Sequence, residues 1–339
     1  MGARDLKKNW RKPLNALIFV ALLVAVFFLV DLRSVGSALL GVSTVSIGLA
    51  LFVATLDRVL MTYKWRQLLI AIGCNLRFLT ALRIHYQSVV SGRIIPAPLG
   101  ADVLRVYLTT AVGLPHAPVI SSVALEKLVA MLASIVIAIA GLLFLADHTP
   151  EGAQPNSFLG IAAGTLLAAI SMFGMILLAR AHRWVGLAVD WFDNRGFVPE
   201  RLNRSLRQIS RSILMYRNKT ATLAINGMLA LAEHCTQVVK LAILAFGLGL
   251  AMPVLSFCAI AAVALFVRRI GGIVEGWGLG EGSAILTLVW FGIDAELAVA
   301  LLVANFVVST TAVAPGLIFF YTHPVLPAEK VSEDTPAQS

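Results

Sequence analysis

Residues 94–105, IIPAPLGADVLR, break an otherwise apolar chain with Pro96, Pro98, Gly100, Asp102 and Arg105. The whole sequence has a mean hydropathy of +0.87 and is 59% hydrophobic. A backbone interrupted in this way, carrying an acid and a base, is tolerated at membrane depth only where protein or water surrounds it. Interrupted helices are also where polytopic proteins bind charged cargo. The segment therefore predicts a membrane protein with a polar site beside it.

Composition supports the membrane assignment. Of 339 residues only 13% are charged, and several apolar runs reach the roughly 20 residues that span a hydrocarbon core. The net charge of +9 would also suit a nucleic-acid binder. However, the basic residues gather at 4–12, 58–83 and 180–219, between apolar runs, as the positive-inside rule expects of cytoplasmic loops. No basic platform interleaved with aromatics occurs, so no nucleic-acid partner is expected. Cys74, Cys235 and Cys258 are too scattered for a disulfide or metal framework. The basic N-terminus and the run 14–30 resemble a secretory signal, but the run exceeds the usual ~7–15 residues of such a signal. It reads as an uncleaved first span.

Apolar runs place spans at 14–30, 38–56, 120–146, 158–180, 221–247, 252–267 and 297–321, with shorter pieces at 84–104 and 282–293. The expected fold is all-α: a polytopic helix bundle of about seven or eight spans with two re-entrant or broken segments. Residues 1–323 form the integral domain, and the polar, proline-bearing stretch 324–339 is expected to be a disordered cytoplasmic tail. Basic residues before Leu14, and Arg58, Lys64, Arg66, Arg77 and Arg83 after the second run, put the N-terminus and second loop in the cytoplasm. The stretch 147–157 has no Lys or Arg and should be extracytoplasmic. Residues 84–104 must then enter and return, with Pro96 and Pro98 near the tip.

A second break occurs at 270–283, IGGIVEGWGLGEGS, too glycine-rich for an ordinary helix. Leu99-Gly100-Ala101-Asp102 and Leu279-Gly280-Glu281-Gly282 each put an acid just after a Leu-Gly. Either they mark an inverted repeat, which would point to a binding site between its halves, or the match is chance among glycines. Residues 190–219 set Trp191, Phe192 and Phe197 among many arginines. That suits a helix lying on the inner leaflet and equally a solvated basic loop.

Ionisable residues inside membranes are functional hypotheses by default. Asp102 and Arg105, three apart, share a helical face and can pair; Arg105 can meet a lipid phosphate. Arg93 is a second phosphate contact or a side chain snorkelling to the interface. Glu126 can line the same cavity, while Lys127 marks the cytoplasmic boundary. Glu233, Gln237 and Lys240 form one polar stripe beside His234; they bind cargo or relay protons, or Glu233 and Lys240 satisfy one another or a partner helix. Arg268 and Arg269, next to the second break and Glu281, suit capture of an anionic headgroup, because guanidinium grips phosphate bidentately.

Enzyme signals are thin. The sequence has no P-loop, no zinc-protease motif and no nucleophile elbow, and nothing calls for a cofactor or metal. Instead, the broken segments resemble the flippase-like integral membrane family, which occurs as the transmembrane half of lysylphosphatidylglycerol synthases and as stand-alone proteins. The likeness rests on Pro96, Pro98, Gly100-Ala101-Asp102, Arg105 and Glu126-Lys127, and more loosely on residues 277–283, Trp-Gly-Leu-Gly-Glu-Gly-Ser. Ala101, Lys127 and Ser283 depart from it, standing where glycine, arginine and an acid are usual. The resemblance implies movement of a polar-headed lipid, such as a modified phospholipid or a polyprenyl-phosphate-linked sugar, across a bacterial cytoplasmic membrane. Two alternatives remain: a non-transporting membrane subunit of a separate glycosyl- or aminoacyl-transferase, or a lipid-transferring enzyme.

Overall fold

The computed structural model describes residues 32–94, 100–147, 215–216, 218–275 and 279–322. The expected spans at 14–30 and 158–180 lie outside the described residues. So do the tip at Pro96 and Pro98, most of the amphipathic stretch 190–219, and the tail 324–339.

Ten helices make up the described part, and no strand occurs among the described residues. In chain order they are α1 Leu32–Leu40, α2 Thr44–Ala71, α3 Phe78–Ile94, α4 Gly100–Ala111, α5 His116–Asp147, α6 Thr220–Gly247, α7 Val254–Glu275, α8 Leu279–Trp290, α9 Ala295–Thr311 and α10 Pro315–Thr322. The chain is thus an all-α, multi-pass membrane protein. Helices α2, α5 and α6, and the continuous stretch Ala295–Thr322, are long and apolar enough to cross a bilayer. Pro315 separates α9 from α10 because it has no N–H to give. The chain there tightens into three-residue turns, with Val313 and Ala314 donating to the carbonyls of Thr310 and Thr311.

The bundle is organised around α6, which packs on α2, α5, α7 and α9. Small residues let these helices approach: Ala245, Ala261 and Ala298 are fully buried in the largest apolar cluster. That is how membrane helices associate when lipid is as apolar as their side chains. A second cluster joins Leu68 and Leu125 to Tyr216, whose hydroxyl donates to the Leu68 carbonyl at 3.0 Å. Tyr216→Phe removes only this bond, so a thermal melt in detergent should register a loss of about 1 kcal/mol.

The described residues on either side of the two expected breaks are arranged alike. A longer helix ends at Ile94 or Glu275, and a 12-residue helix begins at Gly100 or Leu279 and packs against it: α4 on α3, and α8 on α7. Gly92 of α3 permits the first contact; a Cβ there would lie 2.8 Å from the Ala101 Cβ. Both short helices carry an acid in the first turn, Asp102 and Glu281, where the helix dipole favours negative charge. Both are followed by a glycine in left-handed backbone, Gly113 at φ +92° and Gly292 at φ +84°, which a side chain would oppose.

The structure corrects three expected boundaries. The apolar run 38–56 is part of a helix that continues to Ala71, so Arg58, Lys64 and Arg66 are helical and not in a cytoplasmic loop. Lys64 is fully buried. Its charge is met by acids on other helices, which hydropathy along a single segment cannot register. Residues 84–94 and 100–104 belong to two helices, and 252–267 is a shortened view of α7.

Candidate functional site

The breaks place charged side chains at the ends of short helices, and the tight α2–α6 packing lets polar groups meet inside the bundle. The first group alternates in sign across four helices. At its rim Lys127 of α5, 49% exposed, pairs with Asp102 of α4. Asp102 accepts from Arg105 at 3.1 Å, the i,i+3 pair expected from spacing. Arg105 Nη1 then lies 2.8 Å from Glu126 Oε2. That contact is an ion pair and not an aligned hydrogen bond. Glu126 Oε1 is 4.0 Å from Lys64 Nζ, and Lys64 in turn donates to Glu233 of α6. Gln237, one turn along α6, adds a 3.2 Å bond to Glu233.

Arg105, Glu126, Lys64 and Glu233 are all buried. Unpaired, any of them would be costly in such surroundings; alternation of sign and extra hydrogen bonds offset that cost. Their orientations are fixed from outside the chain of charges. The Arg105 guanidinium lies 5.1 Å from the Trp65 ring centroid, a favourable cation–π geometry. Trp65 itself donates to Ser122 Oγ at 3.1 Å. Asn226 of α6 donates to the Lys64 carbonyl at 2.8 Å.

A second group surrounds α9. Arg268 of α7 grips Glu281 of α8 through Nη2 at 2.7 Å and Nε at 3.2 Å. Arg93 of α3 sits 5.2 Å from the Phe306 ring centroid. Lys240 of α6 donates to Ser309 Oγ at 2.8 Å. Asp57 pairs with Arg58 and accepts from Thr236 at 3.0 Å. Arg269 links the two groups: it lies in the fields of Glu233, Arg268, Asp57 and Glu126. Arg93 likewise feels Glu281 and Arg268. Among the described residues no cluster of His, Cys, Asp or Glu is arranged to hold a metal ion.

All nine residues singled out by sequence have a definite place. Asp102, Arg105, Glu126 and Glu233 belong to the first group, and Arg93, Lys240, Arg268 and Glu281 to the second, with Arg269 between. Of the structural alternative, in which Glu233 and Lys240 satisfy one another or a partner helix, the second form is the one seen. Glu233 takes Lys64 and Lys240 takes Ser309, because the two residues lie two turns apart on α6 and face different neighbours. Lys127, expected as a boundary marker, completes the Asp102 pair. Ser283 spends its hydroxyl on the Gly280 carbonyl, and Glu281, two residues earlier, is the acid that pairs with Arg268.

Sequence reading took Lys64 and Arg58 only as loop bases, and did not single out Asp57 or His85. His85 is buried, with neither ring nitrogen hydrogen-bonded among the described residues. It lies in the fields of Arg105, Arg58 and Lys64. Their signal was present: an acid and two bases within one apolar helical stretch.

Comparison with known proteins accords with this architecture. A family model described as the lysylphosphatidylglycerol synthase TM region matches residues 14–316. The chain therefore belongs to that family. A search of curated proteins gave no match.

Proposed function

We propose that this member of the lysylphosphatidylglycerol synthase TM-region family moves a polar-headed lipid between leaflets of a bacterial cytoplasmic membrane, its N-terminus facing the cytoplasm. One observation carries the reading. An unbroken series of alternating charges runs from the half-exposed Lys127 through Asp102, Arg105, Glu126 and Lys64 to the fully buried Glu233. A charged group at the bilayer centre costs at least about 2.5–3.5 kcal/mol even on lenient scales. Six of them in succession amount to a polar track of the kind a headgroup needs while its tails stay in lipid. In this mechanism the headgroup exchanges partners along the track. Its phosphate replaces a carboxylate on Arg105 or Lys64, and its hydroxyl or amino groups replace a cation on Asp102 or Glu126. Where a headgroup amino group takes up the carboxylate that its phosphate displaces, ion pairs are exchanged and no charge is left bare.

The test is lipid movement in proteoliposomes, read by dithionite quenching of a fluorescent phospholipid. Arg105→Ala and Asp102→Asn are expected to slow movement by about 10-fold or more, roughly the loss of one charge-assisted contact. Both should remain monodisperse in detergent. Normal movement by both variants refutes the proposed roles. An inert wild-type protein that co-purifies with a lipid-modifying transferase would instead favour the non-transporting subunit.

A further inference from the structure

A guanidinium carries five N–H donors in a rigid fork, and that of Arg105 is buried, with only 5% of the residue exposed. Among the described residues a single aligned bond uses the fork, from Nη2 to Asp102 at 3.1 Å. Glu126 Oε2 lies 2.8 Å from Nη1, yet it accepts no hydrogen bond. Opposite charges so close ordinarily align, because a charge-assisted bond is roughly twice as strong as a neutral one. A restraint on the guanidinium accounts for the misalignment.

Trp65 of α2 supplies that restraint. The Arg105 Cζ lies over its ring, 5.1 Å from the centroid. The ring is fully buried and shares an apolar cluster with Leu69, Ile84, Leu108 and Val123. Its Nε1 donates to Ser122 Oγ at 3.1 Å, and Ser122 in turn donates to the Val119 carbonyl at 2.8 Å. With its hydrogen committed to the backbone of α5, the serine oxygen is a stationary acceptor. Arg105 is thus held by one face, against a tethered ring, and by one corner, against Asp102.

We propose that Trp65 is a positioning residue: stacked on Arg105 and tethered to Ser122, it keeps the guanidinium out of line with Glu126 and reserves the Nη1 and Nε donors for a headgroup phosphate. Coulomb attraction depends on distance, whereas a hydrogen bond also needs alignment. Glu126 therefore neutralises Arg105 without the directional bonds that an incoming phosphate would have to break. A phosphate oxygen arriving in the plane of the fork gains bonds that Glu126 does not make, which favours exchange of partners over a locked pair. The proposal rests on the translocation reading above and names the residue that prepares its phosphate contact.

The test is calorimetric binding of dioctanoyl phosphatidylglycerol, and of dioctanoylglycerol, which lacks the phosphate, to the purified full-length protein in micelles. The ratio of the two affinities isolates the phosphate contact and should be about 10-fold or more. Trp65→Phe keeps a ring over the fork and should keep most of the ratio; Trp65→Leu should lose most of it. A double-mutant cycle separates positioning from packing. In a Glu126→Gln background no carboxylate remains for the guanidinium to turn towards, so Trp65→Leu should cost less than about 2-fold there, against roughly 5-fold or more in the parent. If Trp65→Leu does not fold, 5-fluorotryptophan carries the comparison, since fluorine weakens the ring's attraction for a cation and scarcely alters its shape. Fluorination should lower the ratio in the parent and leave it unchanged in Trp65→Phe.

No phosphate preference in the parent overturns the proposal, as does a ratio unchanged by Trp65→Leu. An equal loss in both backgrounds, or fluorination that acts alike in the parent and Trp65→Phe, makes the ring mere packing and overturns it too. Movement of a fluorescent phospholipid in proteoliposomes is read separately. A Trp65-dependent ratio without movement upholds the positioning and sinks translocation. Movement with a ratio indifferent to Trp65 does the opposite.

Discussion

Glu233→Leu should lower stability by about 3–5 kcal/mol, the usual result of stranding one member of a buried ion pair. Lys64 and Glu233 are both fully buried and bonded to each other. Without Glu233, the remaining Arg105, Glu126 and Lys64 carry one uncompensated positive charge. Glu126 cannot absorb it, being 4.0 Å from Lys64 and engaged with Arg105 at 2.8 Å. In a thermal melt the variant should fall by roughly 10 °C.

The decisive comparison is the double variant Lys64→Met/Glu233→Leu. It deletes a neutral pair and leaves Arg105–Glu126 balanced, so most of the lost stability should return. It should nevertheless move lipid poorly, because the inner end of the track is gone. A double variant as unstable as the single one would show that the pair is not the source of the loss. A stable double variant with normal lipid movement would make the pair scaffolding.

The second large effect is expected at Gly141, where α5 crosses α7. A Cβ at this position would sit 2.7 Å from the Ala259 carbonyl oxygen and 3.3 Å from its carbonyl carbon. The obstacle is backbone, which cannot rotate aside as a side chain can. Gly141→Val therefore requires the two helices to separate, at the upper end of the ~1–3 kcal/mol typical of overpacking. Separation would also shift α7, which carries Arg268 and Arg269. The melt should fall, and lipid movement should fall with it. Gly227→Ala is the control, since nothing lies within 4 Å of a Cβ there; it should be neutral or slightly stabilising, alanine being the better helix former. Equal melts for Gly141→Val and Gly227→Ala would contradict the close crossing.

How much of this could be read from residue order depends on the range of the interaction. The spans at 120–146 and 221–247 emerge as α5 and α6 nearly unchanged, because about 20 consecutive apolar residues suffice to specify a membrane helix. The Asp102–Arg105 pair was legible for a similar reason: helical geometry alone brings residues three apart onto one face. Lys64 was misjudged because positive-inside logic assigns a base next to an apolar run to a loop. That logic has no knowledge of an acid 169 positions away. Sequence left open whether Glu233 and Lys240 meet one another or a partner helix, since shared membership of one helix says nothing about which neighbour each residue faces; the structure gives each a partner helix.

Residue order by itself determined that the chain is an all-α membrane protein, that proline and glycine interrupt its apolar runs near residues 95 and 278, and that acids and bases cluster beside those interruptions. These follow from hydropathy, proline and glycine chemistry, and spacing within single helices. Only the tertiary structure decided which charges meet: Lys64 with Glu233, Arg105 with Glu126, Arg268 with Glu281, and Lys240 with a neutral serine. The physical reason is that a buried charge is satisfied through space. Its partner is chosen by the crossing of helices packed on alanine and glycine, and not by distance along the chain.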